Sequence, residues 1–186
     1  FALAARFTDH NVHDRVRHIK SLFDRFHLPF SWWVSEADSP SNLGDALLNE
    51  GLYFKEKNIG MFLHLNDFTP APPLSSLVFQ RVESAAQLKS FATVIESVGG
   101  SPLAFECIYS HLPPSIYAGD TSVELYLANF EGRPSITGVL VTHANVAGIY
   151  YVATVPDLRK RGFGTAMMHY LLQRAQNKGY SIATLQ

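Results

Sequence analysis

Apolar residues recur at helical spacing in several stretches of this chain and in extended runs between them. Val12, Val16, Ile19, Phe23 and Phe26 form one helical stripe, with Asp9 or Asn11 as its N-cap. Pro29 closes that helix, and Phe-Ser-Trp-Trp-Val at 30–34 predicts a short strand in which Trp32 and Trp33 pack. Ser39-Pro40 reads as N-cap and first-turn proline of a second helix through Leu43, Ala46 and Leu47. Gly51 is its C-terminal glycine, and residues 52–54 and 61–65 predict two strands.

Residues 66–73 are proline-rich and predict a joint without helix. A strand follows at 77–82. Ser84 to Gln87 carries the capping-box pattern, ahead of Leu88, Phe91, Ala92, Ile95 and Val98 at helical spacing. Gly99-Gly100 stops that helix, and residues 102–112 predict a second short one ended by Pro113-Pro114. Strands at 123–129, 136–143 and 146–155 then form an antiparallel meander, with Glu131-Gly132 and Ala144-Asn145 as turns. Pro156 and Asp157 end the last of them. Phe163, Met167, Tyr170, Leu171 and Ala175 make one more helical stripe, stopped by Gly179, and residues 180–185 are extended again.

Composition narrows the classes. A 186-residue chain, 47% hydrophobic and 17% charged, can bury a real core and makes one domain or one and a half. Fifteen basic against sixteen acidic residues leave no general field for nucleic acid or a membrane surface. Cys107 is the only cysteine, so neither a disulfide framework nor a cysteine zinc site is expected; no metal is expected as a cofactor. No apolar run is long enough to span a bilayer and no signal peptide is visible, so a cytoplasmic location is the expectation. The chain opens without methionine and stops just after a strand, which predicts a fragment of a longer protein.

The candidate chemistry lies at 159–165, Arg-Lys-Arg-Gly-Phe-Gly-Thr, between a strand and a helix. A helix start offers unpaired N–H groups and the positive end of its dipole, so it attracts anions. Gly162 and Gly164 let an anion approach the backbone closely, and the three cations add attraction. A Walker loop would need Gly-Lys-Ser/Thr, and a dinucleotide fingerprint a third glycine; both are missing. The other reading is a glycine turn with an ordinary cationic surface loop.

Arg159-x-x-Gly162-x-Gly164, preceded by Val152-Ala-Thr-Val-Pro156, resembles the acyl-CoA-binding segment of the GNAT superfamily of N-acyltransferases. The resemblance covers 75–186, in the order strand, two helices, three strands, glycine turn, helix, strand. It implies an α/β (α+β) fold: a mixed, mostly antiparallel sheet flanked by helices. Residues 1–66 are expected to form a degenerate partial GNAT-like subdomain or else an unrelated α/β subdomain covering one face, 67–74 a linker, and 75–186 a C-terminally incomplete acyl-CoA-binding domain.

The implied activity is transfer of an acetyl group from acetyl-CoA to the amine of a small molecule. Ala153, Thr154 and Val155 would then bind the pantetheine arm and thioester. Arg159, Lys160, Arg161, Gly162, Phe163, Gly164 and Thr165 would hold the pyrophosphate. Many members place a glutamate where this chain has Ile149, which cannot act as a base. Tyr151, sharing a strand face with Ile149 and Ala147, and Glu124 are the candidates in its place, with His143 as another. Glu124 and His143 read otherwise as solvent-facing strand residues, Tyr151 as a half-buried packing residue, and Cys107 as a buried structural thiol. Phe105, Tyr109 and Tyr117 line either an aromatic acceptor site or a packed loop. An acyl-CoA-binding module without turnover, or a partner-binding protein, is the alternative function, and a homodimer is a candidate assembly.

Overall fold

The computed structural model describes residues 2–72, 74–99, 114–117 and 121–185. The expected helix at 102–112, with Phe105, Cys107 and Tyr109, lies outside them. The chain divides into two compact units, Phe1–Lys57 and Asn58–Gln186.

In the first unit, α1 (Val12–Arg25) and α2 (Leu43–Asn49) bury Val12, Val16, Leu43, Ala46 and Leu47 with Ala5. The stripe on α1 is real at its start but not at its end, where Phe26 follows the last helical residue and is 67% exposed. Gly51 ends α2 with φ 84° as expected, because the left-handed conformation that closes the helix favours a residue without Cβ. Helix α2 itself starts later than Ser39-Pro40, with Asn42 as its N-cap. Residues 30–34 form no strand: Trp32 makes a single isolated bridge with Ala2. Nor do residues 52–54. Both runs have β-forming side chains, but a strand exists only where a partner ladder takes its backbone groups.

The second unit is a mixed α+β fold, with a six-stranded, mostly antiparallel sheet in the order β1-β6-β5-β4-β3-β2. The strands are β1 (Met61–His64), β2 (Leu77–Arg81), β3 (Val123–Phe130), β4 (Arg133–His143), β5 (Val146–Thr154) and β6 (Ile182–Leu185). Only β5 and β6 run parallel. The two hairpin turns carry positive φ at both central residues, Glu131-Gly132 and Ala144-Asn145, the twist that two-residue turns between antiparallel strands require. Helix α3 (Ala85–Ser97) is capped by the Ser84 hydroxyl, which accepts from the Gln87 N–H. Helix α4 (Phe163–Asn177) buries Phe163, Met167, Leu171 and Ala175.

Every residue from Ser135 to Leu140 is buried, so β4 is covered on both faces. Helix α4 lies on the face of Gly138, where a Cβ would come within 2.7 Å of Leu171 Cδ1 and 3.0 Å of Met167 Cγ. Helix α3 covers the other.

Met61–His64, expected in the first subdomain, is an edge strand of this sheet and pairs antiparallel with Ile182–Leu185. The proline-rich stretch expected as a joint is fastened to α4. Gln176 donates to the carbonyls of Leu65 (2.7 Å) and Phe68 (3.2 Å), and the Ala71 N–H donates to His169 Nδ1 (3.2 Å). The division of the chain therefore falls after Lys57, before the prolines rather than at them.

Candidate anion-binding site

The site is made where β5 hands over to α4. Along β5 the pairing with β4 slips by one: Val139 faces Tyr150 and Thr137 faces Ala153, so Tyr151 and Val152 together oppose Gly138. Tyr151 sits at φ 51° in this bulge, and the Thr137 hydroxyl donates to its carbonyl at 2.9 Å. The slip breaks the alternation that put Tyr151 on the face of Ile149 and Ala147. Those two are buried, whereas Tyr151 is 54% exposed.

Beyond the bulge the Val155 N–H donates to Ser135 O (3.0 Å), and Pro156–Leu158 form a short 3-10 turn. Arg159 Nε donates to Thr154 O (3.2 Å), which turns its side chain back along the strand end. Lys160 (φ 61°) and Gly162 (φ 78°) then swing the chain through the left-handed region into α4. The first helical bond is Ala166 N–H to Gly162 O (2.9 Å). The amides of Phe163, Gly164 and Thr165 are thus the first-turn donors, with no acceptor inside the helix.

These groups enclose a cavity of about 240 Å³. Arg159 and Lys160 line it on the cationic side, Gly162, Phe163, Gly164 and Thr165 on the helix side, and Thr154 and Leu158 at the strand end. Gly164 lies on the cavity wall, where a Cβ would stand at ordinary contact distance, 3.6 Å, from the Thr154 hydroxyl. Two cations, a helix N-terminus and two threonine hydroxyls around one hollow suit an anion with several acceptor oxygens. Asp157 does not offset this charge, because Arg133 holds it in a two-pronged ion pair (2.8 and 3.3 Å) and those hydrogen bonds keep its carboxyl below the usual range.

The structure brings together most of the residues predicted for this loop, but not all. Arg161 does not line the cavity; its guanidinium lies 4.8 Å from the ring centre of Phe130 and 5.1 Å from that of Phe163. Val155 is buried and Ala153 half-buried, both away from the lining. Leu158 also lines the cavity, and in the sequence only its place in Pro-Asp-Leu beside the basic run hints at it.

Glu124 needs correction as a solvent-facing residue. It is 1% exposed and turned toward α4, where Lys178 stands 3.2 Å from Oε1 and Tyr126 donates to Oε2 at 3.0 Å. Arg174 Nε in turn donates to the Tyr126 hydroxyl (3.1 Å). Lys178 lies fifteen residues beyond Phe163, about 22 Å of helix. Glu124 therefore sits at the opposite end of α4 from the cavity. His143 is exposed, as expected, and Tyr117 is half-buried in the turn Pro114–Tyr117.

A larger hollow of 510 Å³ lies within the first unit, among Leu3, Phe7, Phe23 and Trp32. Its walls are mainly apolar, and the Arg6 guanidinium at its rim donates to the carbonyls of Ala5 and Ala37. It does not share the chemistry of the loop. Among the described residues no cluster of His, Cys, Asp and Glu is arranged to hold a metal, and no helix is long and apolar enough to cross a membrane.

Residues 104–186, which contain the cavity, match the model of the Acetyltransferase (GNAT) family. Similar solved structures extend the likeness in fold. One is a GCN5-related N-acetyltransferase from Kribbella flavida, with a TM-score of 0.72 at 17% identity, covering 98% of this chain and 67% of that one. Another is a functionally unknown conserved protein from Staphylococcus epidermidis, with a TM-score of 0.57 at 12% identity, covering 98% of this chain and 72% of that one. No curated protein matches the sequence.

Proposed function

We propose that this domain binds acetyl-CoA and transfers its acetyl group to the amine of a small molecule. The observation that carries the reading is the cavity at the start of α4, where Arg159, Lys160 and the first-turn amides converge beside Gly164. A coenzyme A diphosphate fits this set: its oxygens are acceptors, and every polar group named on the helix side is a donor. The bound molecule would supply an activated acyl group as a thioester.

The chain's own residues would do the rest. The amides of residues 163–165 and the two cations would fix the diphosphate, while the strand residues Ala153, Thr154 and Val155 lead from it toward the bulge. Amine attack needs a proton acceptor. Of the candidates Tyr151 is better placed than Glu124: it is exposed on the same strand as the loop, whereas Glu124 is held by Lys178 and Tyr126. A second reading, an acyl-CoA-binding module without turnover, is favoured by the burial of Ile149 at the position where many family members carry a glutamate.

Thermal-shift titration with acetyl-CoA, with free CoA alongside, tests the reading. At a hundredfold excess over Kd, binding to the native state alone adds about 2.7 kcal/mol. Gly164→Glu, which points a carboxylate into the cavity, should abolish the shift. No shift in the wild-type protein would remove the proposal. CoA release in a panel of amines then separates enzyme from binding module.

A further inference from the structure

The fate of Arg161 points to a division of labour inside the basic loop. The register pairs Phe130 with Arg133 across the Glu131-Gly132 turn, so both leave the same end of the β3–β4 hairpin. Arg133 grips Asp157, where the loop begins. Phe130 holds the loop's far end: its ring lies 5.1 Å from that of Phe163, and the Arg161 guanidinium sits over both. One rung of the sheet thus brackets the loop on both sides of Arg159 and Lys160. A guanidinium engaged on two aromatic faces differs from its neighbours Arg159 and Lys160, which border the cavity.

We infer that Arg161 is a positioning residue: it fastens the loop to the β3–β4 hairpin through Phe130 and Phe163 and leaves the anion to Arg159, Lys160 and the helix amides. This role rests on the proposed acetyl-CoA site. It gives Phe130, which borders no part of the cavity, a share in ligand affinity that a phosphate-contacting Arg161 would not.

The test measures the acetyl-CoA Kd of the full chain by calorimetry at low and high salt, well below each variant's Tm. Arg161→Met keeps the aliphatic stem and removes the charge, and Phe130→Leu keeps apolar volume and removes the aromatic face. Each should weaken binding about fivefold, the size of one exposed cation–π contact. The double variant should be no weaker than either single one, because both remove the same fastening. The role of Arg161 is overturned if the losses multiply, if either variant binds as tightly as wild type, or if Arg161→Met alone weakens binding and flattens its salt dependence, the mark of a direct phosphate contact. A wild-type protein that binds no acetyl-CoA would overturn the function and this role together. Unequal variants of a wild type that binds would overturn the role alone.

Discussion

Tyr126 gives the folded protein a sensitivity to alkali whose window and size can be worked out. Its side chain is 1% exposed, and its hydroxyl lies between the Arg174 guanidinium and the Glu124 carboxylate. Burial, reinforced by the charge of Glu124 and the hydrogen bond donated to it, pushes the phenol from its ordinary value of 10 up to about 12, against the opposing pull of Arg174. The folded chain therefore holds this proton more tightly than the unfolded chain. Below pH 10 both states are protonated and the contribution is complete; as pH rises from 10 to about 12 the unfolded state loses its proton first and stability falls. Two units at about 1.4 kcal/mol each make the loss about 3 kcal/mol. Urea unfolding of wild type and Tyr126→Phe through this range, with tyrosinate absorbance followed in parallel, measures it. At neutral pH the phenylalanine variant should be less stable by about 1–2 kcal/mol, since Glu124 loses a donor in a buried site. It should then decline less steeply in alkali, with a remainder from Tyr170, which burial also raises. Parallel decline of the two proteins, or a tyrosinate titration complete near pH 10, would refute the reasoning.

Two further substitutions probe the same sheet. Lys178→Met should destabilise the protein by about 3 kcal/mol in guanidinium unfolding, because it strands the buried Glu124 carboxylate; Glu124→Gln in that background should recover part of the loss. Gly138→Ala should cost about 1–3 kcal/mol, since the new methyl group meets Leu171 and Met167, both fully buried; a variant as stable as wild type would mean α4 can shift outward freely.

Features specified within a few residues were legible in the sequence. The stripe from Phe163 to Ala175 marked the buried face of α4, Ser84 marked the start of α3, and Glu131-Gly132 and Ala144-Asn145 marked the hairpin turns. The basic glycine loop could be placed at a helix start for the same reason. Features that depend on distant partners were not legible. Nothing in Met61–His64 announces that it will pair with Ile182–Leu185, and nothing in 30–34 announces that it will lack a ladder. Glu124 reads like any strand glutamate until Lys178 and Arg174 are brought to it by the packing of α4. Arg161 is one of three adjacent cations, and only the rings on either side of it distinguish it.

The bulge at Tyr151 also acts as a phase change along β5. Ile149 pairs with Leu140 and Thr154 with Ile136, two positions of β4 that face α4. Five residues separate Ile149 from Thr154, an odd step that in a regular strand would send their side chains to opposite faces. The inserted residue restores the match, so the strand packs Ile149 beneath the helix and then brings the Thr154 hydroxyl up to Gly164 on that same side. Deleting Tyr151 would shorten the chain by one residue, yet it would also rotate everything from Val152 to Thr154 by half a turn. The hydroxyl would leave the cavity with every side chain of the loop unchanged.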